Sequence, residues 1–261
     1  MQLPIYQVDA FSDKVFGGNP AAVCPLEDWI DDKKMQSIAS ENNLAETAFF
    51  VQGPESIHLR WFTPKFEIDL CGHATLAAAH VLFEQLAYSG DTLNFETRSG
   101  RITVQRKNHL MSMDFPSRPP VAMTPPATLK QALGTDFGYV GKSRDILVEV
   151  ASEQIVQNLK PDMGLIEQLN CIGVIVTANS ERIDLDFVSR FFAPQAGVPE
   201  DPVTGSAHST LIPYWGEKLN KKKLSAMQIS PRGGYLLTEW QGDRVEISGR
   251  AITYMIGNIF V

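Results

Sequence analysis

Arg60-Trp61-Phe62-Thr63-Pro64 returns 130 residues later (190 − 60) as Arg190-Phe191-Phe192-Ala193-Pro194. The next landmark, Cys71-Gly72-His73-Ala74, is answered by Thr204-Gly205-Ser206-Ala207 at an offset of 133 (205 − 72). Arg98-Ser99-Gly100 is then answered by Arg232-Gly233-Gly234 at 134 (232 − 98). Three echoes in one order, drifting by only a few residues, imply two related halves and a pseudo-twofold axis. The cleft between such halves is the expected place for a ligand.

Composition agrees with two units. The chain has 261 residues, 44% hydrophobic and 20% charged, enough for two cores of roughly 100–150 residues each. Net charge is −7, and the only basic run is Lys221-Lys222-Lys223, read as a solvated loop; nucleic acid is therefore not an expected partner. Cys24, Cys71 and Cys171 are odd in number and unpatterned, as in reduced cytosolic proteins. The start, Met1-Gln2-Leu3-Pro4-Ile5-Tyr6, has no signal-like run, and no stretch reaches the ~20 apolar residues of a membrane span. A cytoplasmic protein that does not contact membranes is the expectation.

Residues 4–11 alternate as a strand, and Gly17-Gly18-Asn19-Pro20 forms a turn before a buried strand at Ala21-Ala22-Val23-Cys24. A helix is predicted from about Asp28 to Ser40, with Trp29, Met35, Ile38 and Ala39 on its apolar face. Strands follow at 47–52 and 57–62. Gly72 to Leu86 reads as a helix apolar nearly all round, hence buried on most sides. Strands near 92–97, 101–105 and 110–115 complete a first half, 1–116. Five prolines then crowd Pro116 to Pro126, so 117–126 reads as a linker. In the second half, 127–261, short helices are predicted near 127–133 and 162–169, and strands near 145–150, 172–178 and 185–192. Its central helix is Ser206 to about Leu219, and strands near 234–240, 243–248 and 251–256 close it, with the last free to return to the first half. The fold class is α+β, each half a barrel-like curled sheet around a central helix.

Both central helices start at a glycine, Gly72 and Gly205. Helix N-termini bind carboxylate or phosphate through free N–H groups, although each glycine also serves simply to permit a tight turn. Glu46 sits among apolar neighbours in Asn43-Leu44-Ala45-Glu46-Thr47-Ala48. It is either a loop glutamate in water or, if desolvated, an acid/base whose pKa rises from about 4.3 toward neutrality. His73 opens the first helix, where the positive dipole end is expected to keep its imidazole neutral; a packed or capping histidine is the alternative. His80 lies two turns on, but the spacing is not that of a metal pair, and no metal is expected. Thr204 stands where a second thiol would answer Cys71, which argues against a two-cysteine racemase. Asp201 and Ser206 flank the second turn, either as helix caps or as groups holding polar parts of a substrate. There is no nucleotide-binding glycine motif and no cofactor is expected.

Asp9-Ala10-Phe11, Gly18-Asn19-Pro20-Ala21-Ala22-Val23, Asn43-Leu44-Ala45-Glu46-Thr47-Ala48-Phe49, Phe62-Thr63-Pro64, Cys71-Gly72-His73-Ala74-Thr75-Leu76 and Asp201-Pro202-Val203-Thr204-Gly205-Ser206-Ala207 together resemble the phenazine-biosynthesis PhzF family over most of the chain. The resemblance implies the diaminopimelate-epimerase-like fold and a cofactor-free isomerase in which a glutamate moves a proton within a dihydro-hydroxyanthranilate ring. It gives Glu46 the shuttle role, gives His73, Asp201 and Ser206 relay and substrate-binding roles, and puts the Gly72 backbone near the substrate. A homodimer is also implied.

Three functions follow as expectations. The first is a cofactor-independent isomerase of a small carboxylate-bearing substrate, with Glu46, His73 and Asp201 catalytic and Gly72, Ser206, Gly205 and Thr204 binding. The second is an amino- or hydroxy-acid racemase, epimerase or dehydratase using Cys71. The third is a non-catalytic binding protein.

Overall fold

The strand Asn19–Leu26 is buried at six of its eight positions. Covered on both faces, it reads as one apolar run and not as an alternation. The computed structural model describes residues 1–53 and 56–261. Its first elements are β1 (Gln2–Ala10), β2 (Asn19–Leu26), α1 (Asp32–Asn42), β3 (Glu46–Gln52), β4 (Ile57–Phe62), β5 (Glu67–Ile68), α2 (Gly72–His80), β6 (Thr92–Thr97), β7 (Gly100–Lys107) and β8 (Leu110–Pro116). There follow β9 (Val121–Ala122), α3 (Leu129–Leu133), β10 (Tyr139–Lys142), β11 (Ile146–Glu149), α4 (Glu153–Asn158), α5 (Met163–Glu167), β12 (Val174–Asn179), β13 (Phe187–Ala193) and β14 (Val198–Asp201). The last are α6 (Gly205–Leu219), β15 (Lys223–Gln228), β16 (Gly234–Trp240), β17 (Arg244–Gly249) and β18 (Ala251–Phe260).

The chain folds as two units, Met1–Asp114 with Ser248–Val261, and Phe115–Ile247. In the first, β1 pairs antiparallel with β2 and β18, β2 parallel with β3, and β3 antiparallel with β4. β4 then pairs antiparallel with β5 and parallel with β6, and β6–β7–β8 form an antiparallel meander. The second unit repeats this order. β10 is antiparallel to β11, β11 parallel to β12, β12 antiparallel to β13, β13 antiparallel to β14 and parallel to β15, and β15 antiparallel to β16. α1 fills the β2–β3 crossover as α4 and α5 fill β11–β12, and α2 fills β4–β6 as α6 fills β13–β15. The class is α+β, with mixed sheets and repeated halves.

Every residue of α2 is buried, because β1, β2, β3 and β18 all pack against it. α1 covers the other face of the same strands: its Met35, Ile38 and Ala39 form one core with Ile5, Ala22, Cys24, Leu26, Phe49 and Phe62. In the second unit α6 packs on β15 and β16 and is buried at ten of its fifteen positions.

The repeated Arg-aromatic-Phe motif has a mechanical reason. Arg60 on β4 grips Glu67 on β5 through Nε (2.7 Å) and Nη2 (2.8 Å), and Arg190 on β13 grips Glu200 on β14 at the same two distances. Each guanidinium also lies over the aromatic ring two residues on, Phe62 at 5.2 Å and Phe192 at 4.9 Å. These bidentate pairs fix the short strand that leads into each central helix.

Residues 248–261 belong to the first unit, the return left open for the last strand, because β18 lies antiparallel along β1 from Gln2↔Phe260 to Ala10↔Ala251. Three details differ from the sequence reading. The proline-rich stretch 117–126 is built into the second unit: Ser117 and Arg118 N–H donate to the carbonyls of Asp243 and Ser209, and β9 pairs with β10. Trp29 precedes α1, whose cap is Asp31, and lies 5.3 Å from the Arg60 guanidinium. The Gly72–Leu86 helix ends its α-turns at His80 and continues as a π-turn over Val81–Gln85. No helix of the described residues is long and apolar enough to cross a membrane.

Candidate active site

In the first unit, β2 and β3 are parallel and their ladder begins at Ala21↔Glu46. Their N-terminal ends lie together beside the start of α2. The chain reaches β2 through Gly18 at φ +63°, where a Cβ would lie 2.0 Å from the Ala10 carbonyl oxygen, so only glycine fits. Asn19, delivered by that turn, is buried, and its Nδ2 is 3.1 Å from His73 Nδ1. Glu46 Oε2 is 3.0 Å from His73 Nε2, with the two side chains 14% and 6% exposed. Cys71 Sγ is 3.5 Å from His73 Nδ1. Asn19, Glu46 and Cys71 thus converge on His73. His80 stands apart, with Nε2 2.9 Å from Thr253 Oγ1.

In the second unit, Thr204 Oγ1 donates to Asp201 Oδ2 at 2.5 Å. Gln228 braces the pair: its Nε2 donates to the Asp201 carbonyl (2.7 Å) and to Thr204 Oγ1 (3.2 Å), and its Oε1 accepts from Thr204 N–H (2.9 Å). The threonine in the place of a second thiol is therefore a partner for Asp201. Ser206 Oγ accepts from Arg144 Nη2 at 2.8 Å. His208 Nδ1 lies 2.8 Å from the Thr204 carbonyl, as Thr75 Oγ1 lies 2.6 Å from the Cys71 carbonyl in the first half. The residues at the two caps, Cys71 and Thr204, make no side-chain capping bond to α2 or α6, and helix starts of this kind present N–H groups suited to an anion.

Electrostatics runs against one expectation. Burial pushes the His73 pKa down, but Cys71 and then Glu46, 3.0 Å away, push it up, and the net direction is upward from 6.5. The Cys71 thiol is pushed up to about 11, first by burial and then by Glu46, so it stays protonated and is a poor base. His208 is driven down to about 4 by burial and is neutral.

Glu46, Cys71 and His73 also offer one oxygen, one sulfur and one nitrogen within 4.8 Å of one another, a set able to hold a soft divalent ion. The sequence spacing did not show this set, because Glu46 is 25 residues or more from the other two (71 − 46). Asn19 and Arg144 are the polar groups that sequence reasoning left unassigned. For Asn19 the turn glycines before it were the available signal; for Arg144 there was none.

The comparisons extend over the whole fold. The family model for phenazine biosynthesis-like proteins matches residues 8–257. An uncharacterized isomerase of Pseudomonas aeruginosa is 51% identical over 259 residues, covering 99% of each chain. The crystal structure of a phenazine biosynthesis protein of the PhzF family from Enterococcus faecalis superposes with TM-score 0.97 at 46% identity, covering 100% of both chains. A predicted epimerase of Pseudomonas aeruginosa shares the fold at TM-score 0.80 and 19% identity, over 99% of each chain.

Proposed function

The chain belongs to the phenazine biosynthesis-like (PhzF) family, and on that premise we propose that Glu46 moves a proton within a small carboxylate-bearing substrate. Isomerase- or epimerase-type activity is the class this membership carries. The Glu46 carboxylate takes a proton from a carbon next to a conjugated or carboxylate-activated centre. The electron pair left behind spreads through the conjugated system, and the Glu46 carboxyl returns the proton at another carbon. Atoms and electrons balance within substrate and side chain, so the reaction as written consumes no cofactor.

The observation that carries this reading is the buried 3.0 Å contact between Glu46 and His73. A carboxylate held against His73 at a helix start is fixed in orientation while keeping its second oxygen for a substrate. In this reading His73 and Asp201 stabilise the displaced charge. Thr204 and Ser206, with the Gly72 and Gly205 backbone, bind the substrate. Such preorganised groups supply most of a barrier reduction, with proton transfer adding ~10²–10⁴-fold. A cytoplasmic homodimer is part of the same proposal.

Deuterium wash-in tests it. The protein is incubated in D₂O with dihydro-hydroxyanthranilate, carboxylated dienes, and amino and hydroxy acids, and exchange is followed by NMR. The expected result is exchange or rearrangement that falls by at least ~10²-fold in Glu46→Gln and persists in Cys71→Ala. Exchange undiminished in Glu46→Gln would overturn the assignment, and loss in Cys71→Ala would transfer it to the thiol.

A further inference from the structure

The two strand ladders at the heart of each half start at matching places. In the first unit the β2–β3 ladder begins at Ala21↔Glu46, and in the second the β11–β12 ladder begins at Ile146↔Val174. Two residues before Ala21 stands Asn19, and two residues before Ile146 stands Arg144. Asn19 reaches His73, the second residue of α2; Arg144 reaches Ser206, the second residue of α6. The halves therefore carry the same constellation with different chemistry. Where the first has Asn19, Glu46, Cys71 and His73, the second has Arg144, Val174, Thr204 and Ser206. The position of the base is apolar in the second half, and the neutral amide has become a guanidinium.

We propose that Arg144 is the anchor for the substrate's carboxylate, an inference that rests on the isomerase reading for the substrate it serves. The guanidinium is half committed. Its Nε and Nη2 donate to Asp145 Oδ2 at 3.1 and 2.8 Å, and Nη2 also donates to Ser206 Oγ. Nη1 has no partner among the described residues, and the side chain is 30% exposed. Asp145, 1% exposed, holds the fork in one orientation. Ser143, one residue earlier, ties the same segment to α6 through a 2.8 Å contact with Thr210 Oγ1. The free Nη1 thus belongs to a held cation beside the start of α6, where Thr204 makes no side-chain cap. An anionic oxygen ligand such as a carboxylate suits the Nη1 N–H groups and the helix N–H groups together.

Matched acids and amides test this by titration calorimetry: benzoate, 2-aminobenzoate and cyclohex-1-enecarboxylate, each against its amide. At least one acid is expected to bind the wild-type protein more tightly than its amide. Arg144→Gln is expected to weaken that acid about 10–100-fold and leave the amide unchanged, and Arg144→Lys to recover part of the loss. Because Arg144→Gln strands a buried carboxylate, Arg144→Gln/Asp145→Asn is measured beside it as the variant with no unpaired charge. Equal weakening of acid and amide, no weakening in either variant, or no acid preference in the wild type each overturns the proposal. The binding readout is independent of turnover. Glu46→Gln should keep the Arg144-dependent preference while losing exchange, so failure of the shuttle and failure of the anchor give different patterns.

Discussion

His73 and His208 lie at neighbouring positions of equivalent helices, the second residue of α2 and the fourth of α6, yet their surroundings move their pKa values in opposite directions. Burial lowers both, but Cys71 and a carboxylate at 3.0 Å raise that of His73 by more, whereas His208 has a backbone carbonyl at 2.8 Å and no ionised partner among the described residues, and its pKa falls to about 4. At pH 7.5, imidazole ¹⁵N shifts are expected to report a protonated ring for His73 and a neutral one for His208, and the latter should persist at pH 5.5. A neutral His73 at pH 7.5 would contradict the charge pairing. The stability consequences have opposite signs. A raised native pKa makes the His73 contribution complete below pH ~6.5 and removes it as pH rises through the native value. The depressed pKa of His208 costs nothing above pH ~6.5 and penalises the native state as pH falls toward about 4, by about 3 kcal/mol at the acid limit. Denaturant titration across pH, for wild type and for His73→Gln and His208→Gln, checks both signs.

Among the elements, β4–β5 and β13–β14 do the same work by the same device, but not with the same dependence on it. Arg190 is buried and donates from Nη1 to the carbonyls of Leu159 and Val156 at 2.9 and 3.2 Å in addition to gripping Glu200. Arg60 spends its Nη1 on Asp32, whose side chain is largely exposed. Replacing Arg190 with Met leaves a largely buried carboxylate without its partner and takes a donor from the carbonyls of Val156, Gln157 and Leu159, a loss of about 3–5 kcal/mol. Urea unfolding should show that loss for Arg190→Met, a smaller one for Arg60→Met, and partial recovery in Arg190→Met/Glu200→Gln. Equal losses for the two arginines would show that the extra carbonyl contacts do not contribute.

On the scale of the whole molecule, the chain leaves its first unit at Asp114 and returns to it at Ser248. β18 then runs the full length of β1 and also packs on α2, and the Val261 N–H donates to the Met1 carbonyl at 2.8 Å. The first unit is therefore completed only by the last residues of the chain. Deleting residues 251–261 should uncover the β1 edge and one side of α2. Amide hydrogen exchange of the truncated protein is expected to lose protection in β1 and α2 while keeping it in β12 and β13. Retained protection in β1 would mean that β2 alone secures that strand.

The duplication, the two apolar central helices and the α+β class were legible in the chain because they depend on local patterning: period, turn glycines and motif order are all short-range. So was the candidacy of Glu46, His73, Asp201 and Ser206, each of which sits in a motif beside a helix start or a strand end. Some elements escaped this reading. Lys221-Lys222-Lys223 hid the alternation of β15, whose Leu224, Ala226 and Gln228 point inward, and β10 is only four residues long and contains Gly141. Asn19 meeting His73, Arg144 meeting Ser206 and Val174 matching Glu46 were decided by tertiary structure alone. Those relations follow from the registers of parallel strands 25 and 28 residues apart (46 − 21 and 174 − 146), and a one-residue slip would turn every side chain to the other face. The direction of the His73 pKa was likewise beyond local reading, because beside Cys71 it depends on a carboxylate brought from β3. Short-range chemistry determines which groups are available; long-range register determines which of them meet.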